Sequence, residues 1–148
     1  MGSLTFPRSG TVYVDANCVI YPVEKIPPYD SMLDPLWRAA SARSLSILSS
    51  EMIVCETLVR PIRDRKPLLE EAFRSFLVKS REFRLVPIRL ATLERAAGIR
   101  AETGLKTPDA IHAATAIEIG ATVFLTNDPG FRRVKELEVA VLSEVAGP

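Results

Sequence analysis

The sequence predicts an α/β domain with a largely parallel central sheet. Short apolar runs typical of buried strands alternate along the chain with longer segments whose apolar residues recur at helical spacing. Strands that alternate with helices in this way form parallel sheets with helices packed on their faces. The 148 residues have the length of one domain, and no repeat, low-complexity tract or linker divides them. We expect an irregular arm over residues 1–10 and a single domain over residues 11–148.

Five strands are predicted from the apolar runs. They cover residues 11–14, 44–48, 83–88, 121–126 and 137–142. The third strand contains Pro87, which has no N–H to donate to a ladder, so this strand is expected to lie at an edge of the sheet or to end there.

Helices are predicted from apolar periodicity between these strands. One begins shortly after the first strand, and the others cover residues 32–40, 51–59, 68–77, 93–102 and 108–119. Ser49 or Ser50 is expected to cap the helix of residues 51–59, and Pro61 is expected to disturb its end. The proline-rich residues 23–31 are expected to form a loop.

The last of these helices has clear signals at both ends. Thr107 is a candidate N-cap, Pro108 suits the first helical position, and Gly120 suits the close of the helix. Gly104 plays the same closing role for the helix before it.

Composition and charge narrow the class of protein. The 47% hydrophobic and 25% charged residues are typical of a soluble globular protein. Because 19 basic residues nearly balance 18 acidic ones, net charge favours no partner, and any nucleic-acid surface must be local. Two cysteines and no signal peptide predict a reducing, cytoplasmic setting, and no apolar run reaches the roughly 18 residues of a membrane span. A single histidine without any Cys-x-x-Cys pair argues against a zinc site.

Acidic residues lie where a parallel sheet binds its ligands. Asp15 comes directly after the first strand, Asp128 follows the strand VFLT, and Asp109 lies in the first turn of the helix that leads into that strand. Ligands of an open α/β sheet bind beyond the carboxyl ends of its strands, on the side where its helices begin. We therefore expect these three acids to converge on one rim of the sheet.

Glu56 is the fourth candidate, because it interrupts the apolar helix segment MIVCETLV. Burial of an isolated carboxylate is costly, so a partner is expected, and no Arg or Lys shares its face before Arg60 or Arg63. Four carboxylates without matching bases repel one another, and Mg²⁺ or Mn²⁺ relieves that repulsion. Such an ion polarises a phosphodiester and lowers the pKa of a bound water. The pattern therefore indicates metal-assisted hydrolysis of a phosphate ester.

Each acid taken singly also has a structural explanation. Asp109 suits the positive end of a helix dipole, Asp128 lies in a turn sequence, and Glu56 would face solvent if its helix were rotated. Asp15 is harder to explain in this way, because apolar residues flank it on both sides. The joint pattern favours one site over four independent structural roles.

Polar and basic residues accompany the acids. Three residues have short polar side chains that could hold a carboxylate or a substrate phosphate, namely Asn17, Thr126 and Asn127. Capping of turns and strand ends is an equal alternative for them. His112 lies one turn after Asp109 but among alanines, which favours local packing over a role as general base. The basic runs in residues 60–66 and 132–135 are either solvated faces or grips for RNA phosphates.

Four segments resemble the PIN-domain family, in particular the short VapC-type toxins of toxin–antitoxin pairs. They are VYVDANCVIY, SSEMIVCETLVR, LKTPDAIHAATAIEIGATVFLTND and FRRVKELEVAVLS, and the likeness runs from residue 11 to residue 143. Asn17 falls in the family's usual polar position two residues after the first acid. The four acidic positions of the family fall, in order, on Asp15, Glu56, Asp109 and Asp128.

The resemblance implies a three-layer α/β/α sandwich with a central, mainly parallel sheet. It implies an endoribonuclease that depends on Mg²⁺ or Mn²⁺ and cleaves RNA by attack of water. The three aspartates would be metal ligands and catalytic residues, and Glu56 would complete the cluster as a ligand or orient the water. The resemblance also implies a homodimer and a small antitoxin protein that blocks the active site.

Other functions fit less well. A receiver-type signalling domain also gathers aspartates around Mg²⁺, but it would have adjacent early acids and a lysine after a late strand, and neither occurs here. A dehalogenase-type phosphatase would have Asp-x-Asp at the first strand, whereas this chain has Asp-x-Asn there. A dinucleotide-binding domain would have a glycine-rich first turn, which this sequence lacks. A PIN-like module that binds RNA or a partner without cutting stays the main alternative.

Overall fold

The computed structural model describes residue 7 and residues 9–146. Within them, five strands form one parallel sheet in the order β3-β2-β1-β4-β5. The strands are β1 (Thr11–Val14), β2 (Ser46–Ser50), β3 (Phe83–Val86), β4 (Val123–Thr126) and β5 (Val139–Val141). The predicted parallel sheet is confirmed, and β3 lies at an edge and ends just before Pro87.

Helices cover both faces of this sheet. They are α1 (Ala16–Glu24), α2 (Tyr29–Ser41), α3 (Met52–Arg63), α4 (Pro67–Arg74), α5 (Leu90–Thr103), α6 (Thr107–Glu118) and α7 (Leu142–Ala146). A π-helical turn continues α4, and a 3₁₀ turn follows β4; they cover Ser75–Lys79 and Pro129–Arg133. Among the described residues, none of the helices combines the length and the hydropathy of a membrane span. The predicted arm falls mostly on residues 1–6 and 8, outside the described part, and stays a prediction.

The sheet separates two hydrophobic cores. Successive residues of a strand face opposite sides, so Val12 and Val14 of β1 enter one core and Tyr13 enters the other. The first core contains the buried residues of α1 to α4, and the second those of α5 and α6. These three side chains of β1 are completely buried, and burial of each valine contributes roughly 1.5–3 kcal/mol of hydrophobic stabilisation. The predicted three-layer α/β/α sandwich is therefore confirmed.

The predicted loop over residues 23–31 is shorter in the structure. α1 continues through Pro22 to Glu24, and α2 already begins at Tyr29. The rings of Tyr21 and Tyr29 stack with centroids 4.6 Å apart, which holds the start of α2 against α1. Tertiary packing of an apolar face outweighs the local signal of the prolines.

The junction of β2 and α3 also differs from the prediction of a strand over residues 44–48. β2 extends to Ser50 through parallel pairing with β3, so Ser49 and Ser50 are buried strand residues and not helix caps. The Ser50 hydroxyl nevertheless accepts the first N–H of α3 at 3.1 Å. α3 passes through the buried Pro61 and ends at Arg63, because packing against the core outweighs the missing N–H.

The C-terminal end of α5 and both ends of α6 agree with their sequence signals to within one residue, whereas α5 begins at Leu90, three residues before its predicted start. α6 begins at Thr107, so Lys106 is its N-cap and Pro108 its second residue. Gly104 ends α5 with a φ of 74°, and Gly120 follows α6 with a φ of 65°. These left-handed conformations explain why both helices are closed by glycine.

Candidate active site

The carboxyl edge of the sheet brings Asp15 together with the end of β4. Val14 pairs with Leu125 in parallel register, so the residues that follow them, Asp15 and Thr126, lie side by side. The Thr126 hydroxyl donates a hydrogen bond to Asp15 Oδ2, and the Asp128 N–H donates to Thr126 Oγ1 at 3.0 Å. One threonine hydroxyl therefore links two of the four predicted acids.

Asp15 is a buried carboxylate with one oxygen unused. The residue is 8% exposed, and Oδ1 has no hydrogen-bond partner among the described residues. Burial raises the pKa of Asp15 above its ordinary value, and the hydrogen bond from Thr126 only partly opposes that rise. An ionised oxygen that is buried without a partner costs free energy, so Oδ1 is the kind of atom that a metal ion satisfies.

Asp109 shares its surroundings with the other acids. It lies partly buried in the first turn of α6. Burial raises the pKa of Asp109, the negative charges of Asp128 and Glu56 raise it further, and His112 and Lys106 act in the opposite direction. The charges of Asp128 and Glu56 therefore oppose ionisation of Asp109.

A buried histidine holds Glu56. His112 Nε2 is hydrogen-bonded to Glu56 Oε1, which joins α6 to α3. The histidine side chain is 1% exposed and that of the glutamate 27%. The expected partner of Glu56 therefore exists, but it is a histidine of another helix and not Arg60 or Arg63, which are exposed.

Tyr13 completes this contact and is missed by reasoning from sequence. Its hydroxyl lies 2.6 Å from His112 Nδ1 and also accepts the Ser50 N–H at 2.9 Å. His112 therefore does more than pack among alanines, since both of its ring nitrogens are engaged. The signal was present in the sequence: a tyrosine in the middle of a buried strand needs a partner for its hydroxyl.

The three polar candidates have different surroundings. Asn17 is exposed in the first turn of α1. Asn127 uses both ends of its amide inside the protein, because Nδ2 donates to the Tyr21 hydroxyl and Oδ1 accepts the Ser143 N–H, each at 2.9 Å. Thr126 is fully buried and holds the first acid. Of the three, Asn17 has the polar group most accessible to a substrate.

The two basic runs are also used differently. In the run of residues 132–135, both terminal guanidinium nitrogens of Arg132 bond to Glu144, so this side chain is engaged within the protein. From the other run, Arg60 and Lys66 line a small cleft of about 40 Å³ that borders the acidic rim.

The rim carries the donor atoms of a hard divalent cation. Its acids offer carboxylate oxygens, which are the ligands that Mg²⁺ and Mn²⁺ prefer. Within residues 9–146, no three acidic, histidine or cysteine side chains lie close enough together to hold an ion as they stand. The buried Oδ1 of Asp15, which has no partner among the described residues, nevertheless fits a role as a ligand of such a cation.

Comparison with protein-family models identifies the family of this chain. The model of the PIN domain matches residues 12–137, a range that includes strands β2, β3 and β4, most of β1 and the positions of all four acids. The chain belongs to the PIN domain family. PIN domains are in general nucleases.

Solved structures share the fold of this PIN domain. A chain of VapBC2 from Rickettsia felis, bound to promoter DNA, matches with a TM-score of 0.70 at 18% identity, covering 88% of this chain and 98% of that one. A toxin–antitoxin complex from Klebsiella pneumoniae matches with a TM-score of 0.59 at 21% identity, covering 88% of this chain and 96% of that one. FitAcB from Neisseria gonorrhoeae matches with a TM-score of 0.65 at 19% identity, covering 86% of this chain and 95% of that one. Likeness at these identities shows a common fold, and no curated protein matches significantly in sequence.

Proposed function

We propose that this PIN domain is an endoribonuclease that hydrolyses RNA phosphodiester bonds with Mg²⁺ or Mn²⁺. The observation that carries the proposal is the buried Asp15 carboxylate, whose Oδ1 has no partner, at a rim that gathers three further acids. Within residues 9–146, no lysine or arginine forms a salt bridge with any of these four carboxylates. A cation is therefore the natural counter-charge for the group.

Each acid has a proposed role in this reaction. Asp15, Asp109 and Asp128 would hold the ion, directly or through water, and Glu56 would complete the set as a ligand or accept a hydrogen bond from the attacking water. The ion, when bound, supplies a water of lowered pKa and neutralises charge on the leaving oxygen. These carboxylates thereby act as the metal-binding and catalytic residues.

The polar residues at the rim support this arrangement. Thr126 holds Asp15 through its hydroxyl, and Asn127 holds the end of β4 against α1 and α7. Of the three residues predicted to bind substrate, Asn17 is the one that we propose to contact an RNA phosphate directly, since it is exposed.

We further propose that the chain is the toxin of a type II toxin–antitoxin pair. The solved structures with the same fold include the toxin–antitoxin complex from Klebsiella pneumoniae and VapBC2 from Rickettsia felis. By this proposal the protein acts in the cytoplasm as a homodimer and is inhibited by a small antitoxin protein.

Cleavage of a labelled RNA by the purified protein tests the nuclease. We expect products that require Mg²⁺ or Mn²⁺, disappear with EDTA, and disappear in the variant Asp15→Asn. Asp34→Asn is the matched control, because Asp34 is an exposed acid of α2 that pairs with Arg38. Cleavage that continues unchanged in Asp15→Asn would contradict the assignment. If the protein binds the RNA but does not cleave it with Mg²⁺ or with Mn²⁺, the alternative of a PIN-like module that binds RNA without cutting would be favoured.

Expression in a bacterial host tests the toxin. Growth should stop when the wild-type chain is induced and continue when Asp15→Asn is induced. Coexpression of the product of a small reading frame next to this gene should restore growth and give a stable complex. Light scattering of the purified protein should give the mass of a dimer. Unimpaired growth with an active nuclease would separate the enzyme from the toxin role.

A further inference from the structure

A chain of hydrogen bonds leads from the acidic rim into the interior. Its outer end is the contact between Glu56 Oε1 and His112 Nε2. The other nitrogen of the histidine, Nδ1, lies 2.6 Å from the Tyr13 hydroxyl, which accepts the Ser50 backbone N–H at 2.9 Å. Residues of β2, β1 and α6 therefore form a continuous chain of hydrogen bonds that ends at the Glu56 carboxylate of α3.

The carboxylate at the outer end of this chain sets the direction of its bond with the histidine. A carboxylate has no hydrogen to donate, so His112 Nε2 carries a hydrogen and donates it to Glu56 Oε1. A backbone N–H can only donate, so the Tyr13 oxygen is the acceptor in its bond with Ser50, and the Tyr13 hydroxyl keeps a hydrogen that it can donate to His112 Nδ1.

The inner members of the chain are buried and closely packed. Tyr13 is completely buried in β1, and its ring stacks on Phe124 with centroids 5.0 Å apart. The His112 ring is 1% exposed and meets the Tyr13 ring edge-on at 5.8 Å. Glu56, by contrast, is partly exposed on a helix, where an unsupported side chain would sample several rotamers.

We propose that His112 and Tyr13 are positioning residues, which hold Glu56 in one orientation. Oε1 is engaged by the histidine, and Oε2 is left for the metal ion or its water. His112 does not act as a general base, because it is buried and both of its nitrogens are engaged. The consequence for catalysis rests on the proposed nuclease function, whereas the orientation of Glu56 does not.

The chain contains a single histidine, which makes the proton arrangement directly measurable. Long-range ¹H–¹⁵N correlation spectra of the metal-free wild-type protein report the imidazole tautomer without assignment or selective labelling. We expect a hydrogen on Nε2, the nitrogen that faces Glu56. An imidazole whose only hydrogen is on Nδ1, or a mixture of the two tautomers, would overturn the inference. This measurement needs no variant, no RNA and no metal.

A matched pair of variants then tests the positioning. His112→Gln brings an amide N–H near the place of Nε2 and keeps a donor for Glu56. His112→Asn brings a carbonyl near the place of Nδ1. This variant therefore keeps a hydrogen-bond partner for the Tyr13 hydroxyl but loses the donor that bonds to Glu56. Mn²⁺ affinity, followed by electron paramagnetic resonance, should fall about 10- to 100-fold in the Asn variant and be largely restored in the Gln variant. The kcat for RNA should follow the same order, with KM little changed.

The outcomes separate the two proposals. Equal losses of Mn²⁺ affinity in both variants, with similar thermal unfolding, would reduce His112 to a packing residue and overturn the inference. Unchanged affinity in both would do the same. If the wild-type chain cuts no RNA but the Mn²⁺ affinities still rank wild type, Gln and Asn, the nuclease proposal fails and the positioning of Glu56 stands.

Discussion

At the scale of single residues, the rim contains a carboxylate whose surroundings favour the binding of a ligand over the stability of the ligand-free fold. Asp15 is buried, one of its oxygens has no partner, and burial raises its pKa. Such a carboxylate destabilises the metal-free fold, because folding removes it from water without full compensation. Active sites commonly keep residues of this kind at the expense of stability.

The metal-free variant Asp15→Asn should therefore be at least as stable as the wild type. We expect a gain of about 0.5–2 kcal/mol in the free energy of unfolding, because a neutral amide is less costly to bury and its oxygen still accepts the bond from Thr126. Urea unfolding in EDTA measures the difference, with Asp34→Asn as the control. A clear loss of stability would show that the Asp15 charge supports the fold.

Tyr13→Phe should have the opposite effect. The phenylalanine ring keeps the stacking on Phe124, but the Ser50 N–H and His112 Nδ1 lose their buried partner. We expect a loss of about 1–3 kcal/mol in the free energy of unfolding. Tyr29→Phe is the control, since the ring of Tyr29 is only partly buried. Equal effects of the two substitutions would argue against a structural role for the Tyr13 hydroxyl.

At the scale of elements, the rim depends on contacts that join the ends of helices to the ends of strands. Asn127 follows β4 and bonds to Tyr21 of α1 and to the Ser143 N–H of α7. Arg132 of the 3₁₀ turn pairs with Glu144, also of α7. These contacts hold the segment that carries Asp128 against the rest of the sheet.

A double-mutant cycle tests the link between α1 and β4. Asn127→Ala and Tyr21→Phe each remove one partner of the 2.9 Å hydrogen bond. We expect a coupling energy of about 0.5–1.5 kcal/mol from urea unfolding of the two single variants and the double variant. Strictly additive losses would show that the bond contributes nothing of its own. Asn127→Ala should cost more than Tyr21→Phe, because it also releases the Ser143 N–H.

At the scale of the whole molecule, the order of the strands creates the site. β1 lies in the centre of the sheet, between β2 and β4. Asp15 follows β1, Glu56 lies in the helix after β2, and Asp109 and Asp128 flank β4. Parallel strands direct their carboxyl ends to one edge, so four acids that are far apart in sequence come to the same end of the sheet.

A cation that binds this edge should stabilise the entire fold. At a free Mn²⁺ concentration of about 100 times Kd, the expected gain is about 2.7 kcal/mol, or a rise of several degrees in Tm for a domain of this size. Differential scanning calorimetry with Mn²⁺, then with EDTA, measures the gain. Asp109→Asn should lose most of it. An equal rise in wild type and Asp109→Asn would indicate that the ion binds elsewhere.

Local patterns predicted the existence and type of most elements, but several of their ends were misplaced. The extension of β2 to Ser50 and the passage of α3 through Pro61 are decided by pairing with β3 and by burial in the core. Neither influence is visible in the few residues around the boundary. Glycine closures were predicted well at Gly104 and Gly120, because a left-handed φ is a local requirement.

Local patterns in the sequence were enough to identify the class of fold and the family, and they predicted the four acids of the candidate site, because periodicity and short motifs are properties of neighbouring residues. The group that supports Glu56 became visible only in the folded chain. His112 lies 56 residues away in sequence, and Tyr13 lies 99 residues from His112. A hydrogen bond depends on the positions of two atoms in space, and here those positions are set by the order of β2, β1 and β4 and by the packing of α6 on α3.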